Sequence, residues 1–496
     1  MDDFDWALQL AGGPGPKFRQ VVQTIRAAVR SGRLMPGQRL PAVRDLAARL
    51  GVTPGVVARA YQVAAQEGVI VSHVGRGSFV SPPGRATPDL EPMLSGSDTL
   101  RAIEMGTLDL RLPKVADVGQ AQLLDQALTR AQAVMGDVLR YPGMQDDADC
   151  RAAMAGFLSG NRLGPVQADD LVMTLGGQNG MMMILSFLLQ ASPTARPAVM
   201  TEALSYTGLL HAARMARAEL IPIAMDTEGA LPDALDRAAR ETGARVICLT
   251  PSAQNPTAAC MSEGRRHAIL RVAARYDLQI VEDDCLTPGS VWLDQQAEPP
   301  APTLRRLAPD RVWHLSSLAK TFSPALRTGA IVCPTGKGIA GRLAAQHMLY
   351  GLPATHIALI QMVAASPELV QMTTAVTARH AATVVQMHDL LTRPGGPQDG
   401  PAIAVDAVQC RAGVPFMWLR TPEGASAETL SQAAKAAGVV VRTTREFAVT
   451  PRATAMVTGG EGVRLAVDCN ASPEHLAAGV AVLRNLWARA APECQG

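Results

Sequence analysis

The feature that most constrains the fold of this 496-residue chain is an alternation of short apolar runs with longer amphipathic ones beyond about residue 105. The runs at 171–174, 198–201 and 245–249 have the length of strands, and each precedes a stretch whose apolar residues recur at helical spacing. Strands that are buried on both faces and separated by helices form parallel sheets. The pattern therefore predicts an α/β fold with a mostly parallel central sheet, whose ligands bind at the carboxyl ends of the strands.

Composition and the amino end argue against a membrane protein. Hydrophobic residues make up 48% of the chain and charged residues 18%, which is typical of a globular protein with two or three cores. Residues 1–5 are acidic and lack the order of a signal peptide, and no apolar stretch approaches the roughly twenty residues of a membrane span. Eight scattered cysteines without a CxxC pair predict reduced thiols and no metal site. We therefore expect a cytoplasmic protein.

Charge is distributed unevenly along the chain. Residues 1–81 contain ten basic and five acidic side chains, whereas the remainder contains 36 basic and 39 acidic ones. A small basic module is typical of polyanion binding, although an ordinary solvated surface explains the charge equally well. A Pro-, Gly- and Ser-rich segment begins at Ser81 and predicts a linker. The predicted domains are 1–81, a linker over 82–105, and a body over 106–496.

The pattern of the first 81 residues predicts three helices followed by a small hairpin. Thr53 can cap the third helix, and the glycine turn Gly75-Arg76-Gly77 separates the two strands. Three helices and a wing form a winged helix-turn-helix. The predicted elements are helices over 18–31, 40–51 and 53–67 and strands over 69–71 and 78–80.

At the motif level this module resembles the GntR family of bacterial regulators. The family's pattern is present in order at Gly32-Arg33-Leu34, Pro36-Gly37, Leu40-Pro41, Arg44, Leu46-Ala47, Leu50-Gly51-Val52, Ala60-Tyr61, Glu67-Gly68 and Gly75-Arg76-Gly77. In such modules the third helix enters the major groove of double-stranded DNA. The resemblance assigns DNA contacts to Arg44, Thr53, Arg59 and Arg76. A solvated surface arginine remains the alternative for Arg59.

The start of the third helix departs from the family pattern. The family usually reads Ser-Arg-x-Thr there, whereas this chain has Thr53-Pro54-Gly55-Val56. The change removes a guanidinium and a hydroxyl that could reach phosphate or guanine. We therefore expect DNA contacts that are weaker or differently specified.

Only five lysines are present, and Lys320 alone follows a predicted strand, 311–315. Ser317 lies three residues before it and Arg327 seven residues after it. A lysine in this position can form a Schiff base while its neighbours hold a phosphate. The run resembles the lysine motif of the class I aminotransferases, the fold-type-I enzymes that use pyridoxal 5'-phosphate.

The resemblance predicts where the rest of a cofactor site lies. The turn Thr174-Leu175-Gly176-Gly177-Gln178-Asn179 offers Gly177 and Gln178 as a phosphate cradle, although alone it would be an ordinary glycine turn. Tyr206 offers an aromatic face for the pyridine ring, or is a half-buried core tyrosine. Asn255, in a loop that resembles the family's Asn-Pro loop, offers a donor to the phenolic oxygen.

Two further charged residues complete the resemblance. Asp283 is assigned to the ring nitrogen, and either of its neighbours, Glu282 or Asp284, could instead be a solvated loop acid. Arg464 is placed where the family's arginine binds a substrate or effector carboxylate. Cys285 replaces a tyrosine and Ala258 replaces a glycine of the family pattern, which favours sensing over efficient transamination.

A GntR-like module fused to such a body is the layout of the MocR subfamily of GntR-type regulators. The resemblance implies a head-to-tail homodimer that regulates transcription, in which a small amino compound is sensed by aldimine exchange at Lys320. An active aminotransferase with an accessory DNA-binding domain is the first alternative. A DNA-binding scaffold that no longer holds a cofactor is the second.

Overall fold

A computed structural model describes most of the chain as two compact units, Met1–Ser95 and Gly96–Gly496. The described residues are 16–30, 33–35, 37–66, 69–73, 77–81, 107–135, 139–159, 162–190, 197–286, 301–396 and 399–491. The predicted linker 82–105 and Arg76 of the predicted wing lie outside these residues. In the part of the chain so described, no helix is both long and apolar enough to span a bilayer.

The amino-terminal unit has the predicted three helices and two strands. Its elements are α1 Lys17–Arg30, α2 Val43–Leu50, α3 Pro54–Gln66, β1 Ile70–His73 and β2 Gly77–Val80. The strands pair antiparallel, with Ile70 opposite Val80. Helix α2 ends where Gly51 takes a φ of +61°, a conformation that glycine adopts without steric cost. Apolar stripes on all three helices meet in one core, which confirms the winged helix-turn-helix.

The body contains fifteen strands in the described residues. They are β3 Leu108–Asp109, β4 Leu171–Thr174, β5 Ala198–Glu202, β6 Glu219–Ile223, β7 Met225–Asp226, β8 Gly229–Ala230, β9 Val246–Leu249, β10 Gln279–Asp283, β11 Val312–Ser317, β12 Gly329–Val332, β13 Val408–Gln409, β14 Phe416–Arg420, β15 Val439–Val440, β16 Arg442–Thr443 and β17 Gly462–Ala466.

Seven of these strands form the central sheet, in the order β4-β12-β11-β10-β9-β5-β6. Strand β12 runs antiparallel to both of its neighbours, and the other pairs are parallel. The predicted mostly parallel sheet is confirmed. Strand β10 ends at Asp283, so Glu282 and Asp283 belong to the strand.

The helices of the body cover both faces of this sheet and one face of a second, smaller sheet. They are α4 Gln120–Val134, α5 Ala148–Leu158, α6 Gly177–Gln190, α7 Thr207–Met215, α8 Pro232–Thr242, α9 Glu263–Arg275, α10 Leu304–Leu307, α11 Gly338–Leu349, α12 Ala354–Ala364, α13 Pro367–Thr392, α14 Ala427–Ala436, α15 Thr444–Phe447 and α16 Pro473–Ala490. Helices α6 and α7 pack on one face, and α8 and α9 pack on the other. Residues that alternate along each strand supply both cores.

A second sheet, in the order β13-β14-β17-β16, is antiparallel throughout. Met417, Leu419, Val463 and Leu465 on one face pack against α13, α14 and α16. Because successive side chains of a strand point to opposite faces, Arg464 lies on the other face. Arg464 therefore lies on the face of the second sheet that is opposite to helices α13, α14 and α16.

Candidate functional site

Most residues predicted to bind a cofactor lie at the carboxyl ends of strands in the central sheet. Asp283 and Ser317 end β10 and β11, and the glycine turn follows β4. Lys320 follows β11 by three residues and is half-buried. Because neighbouring parallel strands end at one edge of a sheet, residues distant in sequence meet there.

The amine of Lys320 is more acidic than an ordinary lysine. Burial lowers the pKa of this amine to about 8, and the positive charges of Arg464, Arg327 and Arg442 act in the same direction. Near neutral pH the amine remains mostly protonated, but its unprotonated fraction is about 300-fold larger than that of a lysine with the ordinary pKa of 10.5. An unprotonated amine is the form that attacks a carbonyl carbon.

The glycine turn after β4 is closely surrounded by side chains. Gly176 has a φ of +90°, and a Cβ placed there would lie 2.9 Å from Nη2 of Arg327. A Cβ at Gly177 would lie 2.5 Å from Sγ of Cys285. Helix α6 begins at Gly177, so backbone N–H groups without helical partners point out of its amino end. The Arg327 guanidinium donates from Nη2 to the Leu175 carbonyl at 3.2 Å, which places a cation beside these N–H groups.

The side chains of Gln178 and Ser317 are already engaged within the protein. Gln178 donates from Nε2 to the Gly208 carbonyl at 2.9 Å, while its buried Oε1 has no hydrogen-bond partner among the described residues. The Ser317 hydroxyl donates to the Thr328 carbonyl at 3.1 Å and accepts the Ala319 N–H at 3.2 Å. Ser317 therefore stabilises the turn that leads to the lysine.

Tyr206 immediately precedes α7 and is half-buried. Its ring leaves no room at Gly208, where a Cβ would lie 2.3 Å from Cε1 of the tyrosine. Burial raises the pKa of the phenol, and the negative charge of Asp283 raises it further. Tyr206 is therefore a neutral aromatic side chain at every ordinary pH.

Asp283 is a buried carboxylate with few donors around it. Its Oδ1 accepts the backbone N–H of Cys285 at 3.2 Å. Burial raises the pKa of Asp283, because the charged form is desolvated in this position. A cationic donor next to the carboxylate would restore its ionised form.

The two acids beside Asp283 are not solvated loop residues, so that alternative is wrong. Glu282 is fully buried and accepts the N–H groups of Leu304 and Arg305, each at 2.9 Å. His314 lies 3.1 Å and Arg266 3.7 Å from the same carboxylate. Asp284 is also buried, with an exposure of 4%. Glu282 therefore serves the fold, because it holds the amino end of α10.

Arg464 lies in a buried aromatic setting at the edge of the site. Its Nη1 donates to Oδ1 of Asn255 at 2.8 Å and its Nη2 donates to the Arg111 carbonyl. The rings of Phe416 and Phe447 lie 5.4 Å and 5.0 Å from the guanidinium carbon. Its Nε is buried without a hydrogen-bond partner in the described part of the chain. Burial lowers the pKa of Arg464 to about 9, and the charge of Arg442 contributes.

Two charged residues near the site were not found from the sequence. Arg442, in β16, is the Cα partner of Arg464 across the second sheet. Glu202, at the end of β5, is fully buried and accepts the Thr250 N–H at 3.2 Å. Burial raises the pKa of Glu202 to about 8. An acid at the end of an apolar strand was a usable signal for Glu202, whereas the sequence around Arg442 offered none.

In the amino-terminal unit three of the four assigned DNA contacts fall within the described residues. Arg44 is exposed on α2, and Thr53 is exposed directly before α3. Arg59 is exposed on α3, but its guanidinium lies 4.4 Å from the ring centroid of Phe18 in α1. The aromatic contact holds Arg59 within the domain, so it is more than a freely solvated side chain.

Family comparisons match both units of the chain. Residues 17–80 match the family described as bacterial regulatory proteins, gntR family. Residues 108–483 match the family described as aminotransferase class I and II. The second match covers most of the body, including every residue assigned to the cofactor site.

Several curated relatives are named as regulators, and each alignment covers about two thirds of both proteins. The pyridoxine biosynthesis transcriptional regulator PdxR of Corynebacterium glutamicum is 28% identical over 320 residues, 64% of this chain and 66% of the relative. The probable rhizopine catabolism regulatory protein MocR of Rhizobium meliloti is 27% identical over 337 residues, 64% and 66%. The uncharacterized HTH-type regulator YdfD of Bacillus subtilis is 26% identical over 337 residues, 64% and 68%.

Solved structures share the fold of the body. The α-aminoadipate aminotransferase LysN of Thermus thermophilus, complexed with N-(5'-phosphopyridoxyl)-L-leucine, has a TM-score of 0.63 at 23% identity and covers 80% of this chain and 95% of its own. The kynurenine aminotransferase of Pyrococcus horikoshii has a TM-score of 0.64 at 18% identity, with coverage of 81% and 98%. At such identities the likeness concerns the fold alone.

Proposed function

We infer that this chain, which belongs to the aminotransferase class I and II family and carries a gntR-family unit at its amino end, is a DNA-binding transcriptional regulator whose body binds pyridoxal 5'-phosphate. The combination of the two units, together with relatives named as HTH-type regulators, is consistent with the MocR subfamily. We place the DNA-binding domain at 1–81, the linker at 82–105 and the effector domain at 106–496.

The described residues fit this cofactor. The turn at Gly176 and Gly177 lacks the side chains that would block an anion at the amino end of α6, and Arg327 lies beside it. Gln178 would contribute its backbone N–H in the first turn of α6, and Ser317, whose hydroxyl is bonded to the Thr328 carbonyl, would hold the turn that leads to the phosphate. Tyr206 supplies an aromatic face next to Asp283, whose desolvated carboxylate calls for a cationic partner such as a protonated ring nitrogen.

The residues around the lysine also fit an amino-compound effector. When bound, pyridoxal phosphate supplies an aldehyde that condenses reversibly with an amine. The lowered pKa of Lys320 keeps its amine reactive near neutral pH, and an effector amine would compete with it for the aldehyde. Arg464 would bind the effector carboxylate, and Asn255 orients its guanidinium by accepting from Nη1 through Oδ1. The amide Nδ2 of Asn255 would be the donor to the cofactor's phenolic oxygen.

The observation that carries the proposal is the placement of the half-buried Lys320, the glycine turn with Arg327, and Asp283 at one edge of the central sheet. Regulation requires that this site alter DNA binding. We propose that exchange at Lys320 changes the arrangement of paired winged helices, and thus the DNA half-sites that a head-to-tail homodimer in the cytoplasm can span. Exposed apolar side chains on the body, including Leu139, Tyr141 and Tyr350, support a dimer.

A DNA-binding titration tests the proposal. The full chain is titrated onto DNA from the region beside its own gene, with pyridoxal phosphate and a panel of amines, for the wild type, Lys320→Ala and the control Lys435→Ala. We expect an amine to change the DNA affinity of the wild type and of Lys435→Ala, but not of Lys320→Ala. Turnover of an amino acid at about 1–10 s⁻¹ without DNA binding would instead identify an active aminotransferase.

A further inference from the structure

Two arginines face each other across the second sheet at the edge of the candidate site. Arg442 in β16 and Arg464 in β17 are directly opposite Cα partners in an antiparallel pair. Side chains of such partners lie on the same face of the sheet, with Cβ atoms about 4.5–5.5 Å apart. Like charges directly opposite each other destabilise a sheet. The two arginines therefore do not stabilise the fold by their pairing, and a role in binding would account for them.

The protein compensates these two cations only in part. Arg442 has Glu446 nearby, at 3.8 Å from Nε to Oε2, which is too long for a hydrogen bond. The Glu446 side chain is 44% exposed, and its Oε1 accepts the Thr443 N–H. The Nε atoms of both arginines are buried without a hydrogen-bond partner among the described residues.

The face that the two arginines share belongs to the candidate site. The opposite face of β17 packs on helices through Val463 and Leu465, and Arg464 reaches Asn255 on the loop after β9. Burial lowers the pKa values of Lys320 and Arg464, and the charge of Arg442 lowers both further. Arg442 therefore acts electrostatically on the same amine and the same carboxylate-binding arginine that the proposed function uses.

We propose that Arg442 is a specificity-determining residue that binds a second anionic group of the effector, so the effector is an amino compound with two carboxylates. The inference rests on the proposed function for the role of Lys320 and Arg464. One carboxylate pairs with Arg464 and the second with Arg442. A second anion removes the repulsion between the two guanidinium groups, which a neutral side chain of equal size cannot do.

Matched ligands and matched variants test this inference. L-Glutamate and L-aspartate are compared with the isosteric L-glutamine and L-asparagine by absorbance titration of the protein loaded with pyridoxal phosphate. The same proteins without cofactor are titrated with glutarate and glutaramate by calorimetry. The variant is Arg442→Gln, and the control is Arg445→Gln, an exposed arginine three positions later.

We expect the wild type and Arg445→Gln to prefer each diacid over its amide by about 10–100-fold, and Arg442→Gln to lose that preference while retaining its affinity for the amides. A wild type without the preference, or a preference that survives in Arg442→Gln, overturns the inference. If the loaded protein shows no cofactor absorbance, the proposed function fails. The glutarate titration of the cofactor-free protein then decides the role of Arg442 independently.

Discussion

At the scale of single residues, the account depends on an amine whose charge is set by its surroundings. Burial and the cations Arg464, Arg327 and Arg442 lower the pKa of Lys320 to about 8 from the ordinary value of 10.5. The rate at which the cofactor-free protein combines with pyridoxal phosphate should therefore increase with pH, and the midpoint of this increase should lie near pH 8. Arg464→Gln should move the midpoint upward, because it removes a positive neighbour. Stopped-flow absorbance measures both, and a wild-type midpoint near 10.5 would contradict the prediction.

Glu202 makes a second prediction at this scale, about stability. Its folded-state pKa is about 8, whereas its ordinary value is 4.5. Between these values the folded protein holds a proton that the unfolded chain releases, so stability falls as pH rises through the window. Glu202→Gln removes this titration. Relative to the wild type, the variant should gain about 3 kcal/mol between pH 5 and pH 8, because each pH unit within the window is worth about 1.4 kcal/mol. Denaturant unfolding at the two pH values measures this gain in unfolding free energy. If the wild type and Glu202→Gln differ by the same amount at pH 5 and at pH 8, the prediction is wrong.

Single residues also mark the limit of inference from the sequence. Lys320 stood out because four other lysines lacked a preceding strand, and Asp283 was found from its place in a motif. The role of Glu282 could not be predicted, because its donors Leu304 and Arg305 belong to a helix that follows more than twenty residues later. Arg442 was missed because its pairing with Arg464 depends on the register between two strands.

At the scale of elements, the start of α6 makes a prediction about packing. A Cβ at Gly177 would lie 2.5 Å from Sγ of Cys285, but 3.7 Å from its Cβ. Gly177→Ala should therefore displace the thiol and weaken the binding of pyridoxal phosphate by about tenfold or more. Adding Cys285→Ala should restore most of that affinity, because only the sulfur is in the way.

A double-mutant cycle measures this coupling. The dissociation constant of pyridoxal phosphate is determined by absorbance for the wild type, Gly177→Ala, Cys285→Ala and the double variant, with thermal unfolding as the check on folding. Additive losses would show that the alanine blocks the cradle directly, against the prediction.

The start of α3 makes a second prediction at this scale. Pro54 is exposed at the first position of the helix that is expected to enter the major groove, where the family pattern carries an arginine. Pro54→Arg should strengthen DNA binding and steepen the dependence of log affinity on log salt by about one unit. Fluorescence anisotropy at several salt concentrations measures the slope, with Pro54→Ala as the control. An unchanged slope in Pro54→Arg would mean that this end of α3 does not approach phosphate.

The sequence predicted the helices and strands of the central sheet more accurately than it predicted the contacts of single residues. The strand 171–174 was predicted with its observed bounds. Apolar runs buried on both faces determine such strands locally. The second sheet was not predicted, because strands as short as Val408–Gln409 and Arg442–Thr443 carry too few residues for a pattern.

At the scale of the whole molecule, two units with different matches lie on one chain. The gntR-family match covers 17–80 and the aminotransferase match covers 108–483. The body supplies the lysine site, and the amino-terminal unit supplies a small basic winged helix-turn-helix. In the proposed function, exchange at Lys320 in the body changes DNA binding by the amino-terminal unit, so neither unit alone can regulate transcription. Such signalling requires that pyridoxal phosphate react with Lys320 in the full chain, with both units present.

Reductive trapping tests that requirement most directly. The full chain is incubated with pyridoxal phosphate, reduced with borohydride and digested, and the labelled peptides are identified by mass spectrometry. We expect one phosphopyridoxyl group per chain, on Lys320, and its loss in Lys320→Ala while Lys435→Ala is labelled normally. A label on another lysine, or a full-length protein that takes up no label, would contradict the account.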